Sequence, residues 1–122
     1  TEITMFGRTI LTTGDATEKV ENSILSQLKG HYDILKVAHH GSLTSTSDSF
    51  LLKAKPHFCV ISSGRHNRHG LPKEAIVNKL KQSDCKVFNT QDYGMVQFEI
   101  NKDNMIMTNG LQEHNKKAYN RQ

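Results

Sequence analysis

The stretch DILKVAHHGSLTSTS, residues 33–47, decides how the rest of the chain is read. An apolar run (ILKVA, residues 34–38) leads directly into two adjacent histidines and a glycine, where strands ordinarily end in turn formers. Gly41 permits a sharp turn of the backbone there. Paired imidazoles at such a place need a buried partner, a metal ion, or simple exposure to water.

Working outward, residues 2–6 and 8–14 alternate or run apolar around Gly7-Arg8 and predict a β-hairpin. Residues 17–29 predict an amphipathic helix, with Val20, Ile24, Leu25 and Leu28 on one face and Gly30 at its end. A short helix is expected over residues 47–54, stopped before Pro56. HFCVISS (57–63) reads as a buried strand, followed by a loop rich in Gly, His and Arg (64–71). Pro72 stands at a first helical position, ahead of a helix whose inner face is Ile76, Val77 and Leu80. Short strands follow at KVFNT, MVQFEI and NMIMT. Residues 111–122 are polar and read as a disordered tail.

Strands alternating with helices predict an α/β domain over residues 1–110, with parallel neighbouring strands. In such sheets the loops at the strands' carboxyl ends carry the ligand sites. The unusual residues collect there: Thr13-Gly14-Asp15 after one strand, His39-His40-Gly41-Ser42 after the next, and residues 62–71 after the third.

Composition sets the outer bounds. A chain of 122 residues is one domain with a modest core, and 35% hydrophobic with 23% charged residues reads as soluble and globular. No apolar run approaches the ~20 residues a membrane span needs, and no signal peptide is visible. The formal charge of +4, from 16 basic and 12 acidic residues, biases the chain mildly toward anionic partners. That bias is smaller than a dedicated nucleic-acid binder carries. Cys59 and Cys85 sit in the strand-like contexts FCVI and CKVF, as buried thiols or a bridge, which leaves the redox compartment open. The chain opens without methionine, inside an expected strand, as a piece of a longer protein would.

Asp15 directly precedes a helix and can be its N-cap, with Glu18 three residues on as in a capping box. His39 and His40 can be a core histidine and a solvated one. At the tips of neighbouring parallel strands, however, a carboxylate and an imidazole converge, and these are donors that zinc or manganese accepts. Zinc takes four such donors.

TILTTGD, an amphipathic helix, DILKVAHHGSLTSTS and KPHFCVISSGRHNRHGLP, in that order and spacing, resemble the C-terminal half of a metallo-β-lactamase (αββα) fold. The form most similar is that at the end of ComEC-family DNA-internalisation competence proteins. The resemblance implies a mixed sheet with flanking helices. It also implies two divalent metal ions, zinc or manganese, in the complete domain, with Asp15 bridging them. His40, directly before Gly41, would ligate the second metal, and His39 is the other candidate. The family's HxHxDH segment is absent, so the resemblance implies a missing N-terminal half of the same domain, and weak or no metal binding and no activity from this piece alone. Relatives commonly read N-R-Y-G-H-P where this chain has Asn67-Arg68-His69-Gly70-Leu71-Pro72. The relatives' histidine role is therefore lost or moved to His69, and His66 and His69 can equally be solvated loop residues.

The function implied is metal-dependent phosphodiester hydrolysis of DNA, by a soluble extracytoplasmic domain attached to the membrane-channel part of a competence protein. A dinuclear site suits that reaction, since it lowers the pKa of a bridging water to near ~7. Ser42 and Thr44 would support the ligands by hydrogen bonding. Arg65, Asn67, Arg68 and His69 would contact substrate, with Lys73 beside them as a phosphate partner or as a solvated charge. Two other readings are a secreted phosphodiesterase of the same fold and a catalytically silent binding module.

Overall fold

The first two strands form the hairpin expected of them because Phe6 and Gly7 both take positive φ (49° and 77°). This is the backbone a two-residue turn between twisted antiparallel strands requires. The computed structural model describes residues 1–64 and 67–110, together with the backbone of 117–120. Its strands are β1 (Glu2–Met5), β2 (Arg8–Thr12), β3 (Ile34–Lys36), β4 (Phe58–Ile61), β5 (Lys86–Asn89), β6 (Val96–Ile100), β7 (Asn104–Asn109) and β8 (Lys117–Asn120). Its helices are α1 (Glu18–Ser23), α2 (Asp48–Ala54), α3 (Glu74–Gln82) and the single turn α4 (Thr90–Tyr93).

The architecture is mixed α/β. One sheet has the order β1-β2-β3-β4-β5, with β1 antiparallel to β2 and every other neighbour parallel. The second sheet is the antiparallel β6-β7-β8. Within the stretch read as a tail, Lys117–Asn120 is therefore a strand paired to β7, while 111–116 and 121–122 lie outside the described residues.

Alternation along the parallel strands separates two cores. Leu11, Leu35, Val37, Cys59 and Ile61 face the helices and pack with Phe50, Leu51, Ile76 and Leu80. Ile34, Phe58 and Phe88 face the second sheet and pack with Met105 and Met107. Both faces being covered explains why β4 reads as a continuous apolar run and why β3 is apolar up to Lys36 at its tip. Cys59 and Cys85 form a disulfide inside the first core, the bridge being one of the two states the sequence allowed. Such a link stabilises a small domain by about 2–4 kcal/mol.

Three expectations change. The helix over 17–29 is shorter: α1 ends at Ser23 and a 3-10 turn covers Leu25–Gln27. Val20 is 48% exposed and Glu21 is the buried residue of α1, because the backbone N–H groups of Thr46 and Ser47 donate to its carboxylate at 2.8 and 3.0 Å. Pro72 does not open α3, which starts at Glu74 after Lys73. It packs instead on Gly41, where an added Cβ would lie 2.5 Å from the Pro72 Cβ.

Candidate functional site

The tips of β2, β3 and β4 meet at one edge of the sheet. The Thr13 hydroxyl donates to the Lys36 carbonyl at 3.0 Å, and the His39 N–H donates to the Gly14 carbonyl at 2.8 Å. Parallel pairing plus these two bonds set the Asp15 loop against the histidine turn. Asp15 is exposed and does not cap α1. Thr17 holds the cap position, its side chain makes no capping bond, and the Glu18 N–H is satisfied by the Thr44 carbonyl at 2.8 Å. The capping reading of Asp15 is thus replaced.

The histidines do not sit on a strand. β3 ends at Lys36, and residues Ala38–Gly41 form a tight turn in which His39 (φ 51°, ψ 39°), His40 (φ 54°, ψ 27°) and Gly41 (φ 83°) are all left-handed. The alternation of a regular strand therefore does not decide which imidazole faces the site. Left-handed backbone costs a non-glycine residue roughly 1–2 kcal/mol, and such strain gathers at functional sites. The turn is held from both sides. The Ser45 hydroxyl donates to the Ala38 carbonyl at 3.2 Å, and the Lys73 N–H donates to the Gly41 carbonyl at 3.0 Å.

The two rings differ in what fixes them. His40 is exposed, and its Nδ1 lies 2.5 Å from the Ser62 carbonyl oxygen. A carbonyl only accepts, so Nδ1 carries the hydrogen, and in the neutral ring Nε2 keeps a free lone pair. Metal-ligating histidines are commonly held this way. His39 is half-buried, with Nδ1 3.2 Å from the Thr44 hydroxyl, a group that can give or take a proton. The Thr44 hydroxyl is also 3.0 Å from the Ser42 hydroxyl.

A cavity of about 250 Å³ opens beside His40, lined by Ser62, Ser63, Gly64, Asn67, His69 and Leu71. His69 thus reaches the site, and Arg68 lies on the exposed turn beside it. Asn67 is committed to its own loop: its amide donates to the Gly64 and Leu71 carbonyls and accepts from the Leu71 N–H. Arg65, like His66, lies outside the described residues. A larger groove, about 680 Å³, runs between α2 and α3 at the opposite end of the strands.

Several site-shaping residues were not singled out from sequence. Lys36, at the tip of β3, has its ammonium pKa pushed down by burial, with the Asp15 carboxylate working against that shift. Gln91 donates to the same two carbonyls as Asn67, each at 2.7 Å. Thr90 exchanges bonds with the Ser63 backbone, accepting its N–H at 2.9 Å and donating to its carbonyl at 2.8 Å. A charged residue among the apolar positions of residues 34–38 was the available signal for Lys36; Gln91 and Thr90 carried none.

The donors suit a metal ion in kind but not in number. Among the described residues no group of three or more His, Cys, Asp or Glu side chains converges, whereas zinc takes four ligands. The described residues by themselves therefore bring together fewer donors than zinc takes.

The fold is that of an α/β protein with a mostly parallel sheet, and the candidate residues gather at the carboxyl ends of its strands. No family model matches the chain. It is similar to Recombination protein 2 of Haemophilus influenzae, at 38% identity over 79% of this chain and 12% of the relative. It is also similar to Competence protein ComA of Neisseria gonorrhoeae, at 35% identity over 79% of this chain and 14% of the relative. A third relative is ComE operon protein 3 of Bacillus subtilis, at 30% identity over 75% of this chain and 12% of the relative. The chain thus spans only 12–14% of the length of the curated relatives it matches.

Proposed function

We propose that this chain is part of a DNA-uptake competence protein and forms the C-terminal half of a metallo-β-lactamase-type domain that hydrolyses phosphodiester bonds. The names of two relatives, Competence protein ComA and ComE operon protein 3, support the competence role. One observation carries the chemical reading: the histidine turn is bonded to the Asp15 loop through the His39 N–H and the Gly14 carbonyl, and the Ser62 carbonyl takes the His40 Nδ1 hydrogen, which leaves Nε2 free as a donor.

In this reading Asp15 and His40 are donors to a centre of two divalent metal ions, zinc or manganese. Ligands from the N-terminal half of the same domain, outside this sequence, complete it. His39 orients the turn or serves as a further donor. His69, which lines the cavity, and Arg68, exposed on the turn next to it, contact the DNA backbone, with Arg65 assigned the same role from sequence. The domain lies outside the cytoplasm, attached to a membrane-channel part of the parent protein. The buried Cys59–Cys85 bridge supports that placement, because disulfides persist in oxidising compartments. Among the described residues no helix is long and apolar enough to cross a membrane.

A second reading, a catalytically silent binding module, is favoured by the donor count, since no group of three or more converges among the described residues. Asp15→Ala in the full-length gene product separates the two. The hydrolase reading expects DNA cleavage to fall by orders of magnitude while the melting temperature barely moves, since the exposed Asp15 caps no helix. Unchanged cleavage, or no cleavage by the wild-type protein under any divalent metal, supports the silent module.

A further inference from the structure

Helix α1 turns a carboxylate, not a hydrocarbon, into the protein. Glu21 is fully buried, and a buried ionisable group is tolerated only when its hydrogen bonds are satisfied. Its two oxygens accept the N–H groups of Thr46 and Ser47 at 2.8 and 3.0 Å. Thr46 is itself unusual, a buried β-branched residue in the left-handed region (φ 60°). It is gripped twice, because the Lys79 ammonium donates to its carbonyl at 3.2 Å from α3.

The segment so gripped leads straight back to the histidine turn. Ser45, also fully buried, donates to the Ala38 carbonyl, and the Thr44 hydroxyl lies against His39 Nδ1. The Thr44 carbonyl accepts from the Glu18 N–H on the same helix as Glu21. We infer that Glu21 is a positioning residue: its carboxylate, clamped on Thr46 and Ser47, fixes residues 42–47 so that Thr44 sets the ring of His39. This rests on the reading of His39 and His40 as site residues. His40 is held separately, by the Ser62 carbonyl on the other flank, so the two rings answer to different supports.

The test is nitrogen-15 NMR of the two imidazole rings, with amide hydrogen exchange, in this chain and its Glu21→Gln variant. Exchange at Thr46 and Ser47 should speed up by about tenfold or more as the charged acceptor is lost. The His39 ring pattern should move while that of His40 stays. Thr44→Val should reproduce the His39 change without faster exchange at Thr46. An unmoved His39 in either variant overturns the inference, and so do His39 and His40 moving together. If Glu21→Gln does not fold, Glu21→Asp, which withdraws the carboxylate by one methylene, is judged by the same outcomes. Neither readout involves metal or DNA, so failure of the hydrolase reading is seen separately, in the cleavage assay.

Discussion

The two flanks of the histidine turn are held by different means. Residues 42–47 are tied to the core: Ser45 and Thr46 are buried, and Glu21 and Lys79 hold the Thr46 backbone from two helices. On the other flank, residues 62–64 and 67–71 are tied near the surface, by the amides of Asn67 and Gln91 closing on the Gly64 and Leu71 carbonyls. Bonds inside the protein are made where the alternative partner is nothing, whereas those at its surface compete with water. The core-bound flank therefore sets the geometry of the turn, and the surface flank shapes the cavity beside His40.

Gly41 is where the flanks meet, and substitution there should have the largest effect on stability. Gly41→Ala places a methyl group 2.5 Å from the Pro72 Cβ at a backbone of φ 83°. Left-handed strain of roughly 1–2 kcal/mol plus overpacking of roughly 1–3 kcal/mol should together cost about 2–5 kcal/mol. Denaturant unfolding of the variant measures it, and an unchanged midpoint would show that the flanks are not braced against each other.

A smaller loss is expected on the surface flank. Asn67→Ala removes three bonds to the loop backbone, two of them duplicated by Gln91. With net values of ~0.5–1.5 kcal/mol per bond, part of them replaced by water, the cost should be about 1–2 kcal/mol. The His40 signal should broaden or shift, with His39 untouched. A variant that disturbs His39 as much as His40 would erase the distinction between the flanks.

Much of the frame was legible in the sequence. The hairpin, the short helix ahead of Pro56 and the inner face of α3 follow from local signals: a turn glycine, a proline stop and 3.6-residue periodicity, although Ser47, read as the first helical residue, is in fact the cap of α2. The order of the parallel strands follows from their alternation with helices, and it carried Asp15 and the histidines to one edge. What was not legible depends on partners distant in sequence. Nothing local to VENSIL tells that Glu21 rather than Val20 turns inward, since the deciding N–H groups lie 25 and 26 residues away. The left-handed turn at His39 and His40 was hidden for the same reason. Alternation extrapolated past Lys36 cannot foresee a turn held by Ser45, Lys73 and Pro72. The tautomer of His40 depends on Ser62, 22 residues on.

The central claim is that His40, whose Nδ1 hydrogen is taken by Ser62, is a metal donor, with His39 in a supporting place. Metal content of the purified full-length gene product, measured for His40→Ala and His39→Ala side by side, tests it most directly. The account predicts that His40→Ala loses bound zinc or manganese. It predicts that His39→Ala keeps most of the metal, with affinity lowered on the order of the 10–100-fold typical of a supporting residue. Loss of metal from His39→Ala with retention in His40→Ala, or no loss from either, would contradict it.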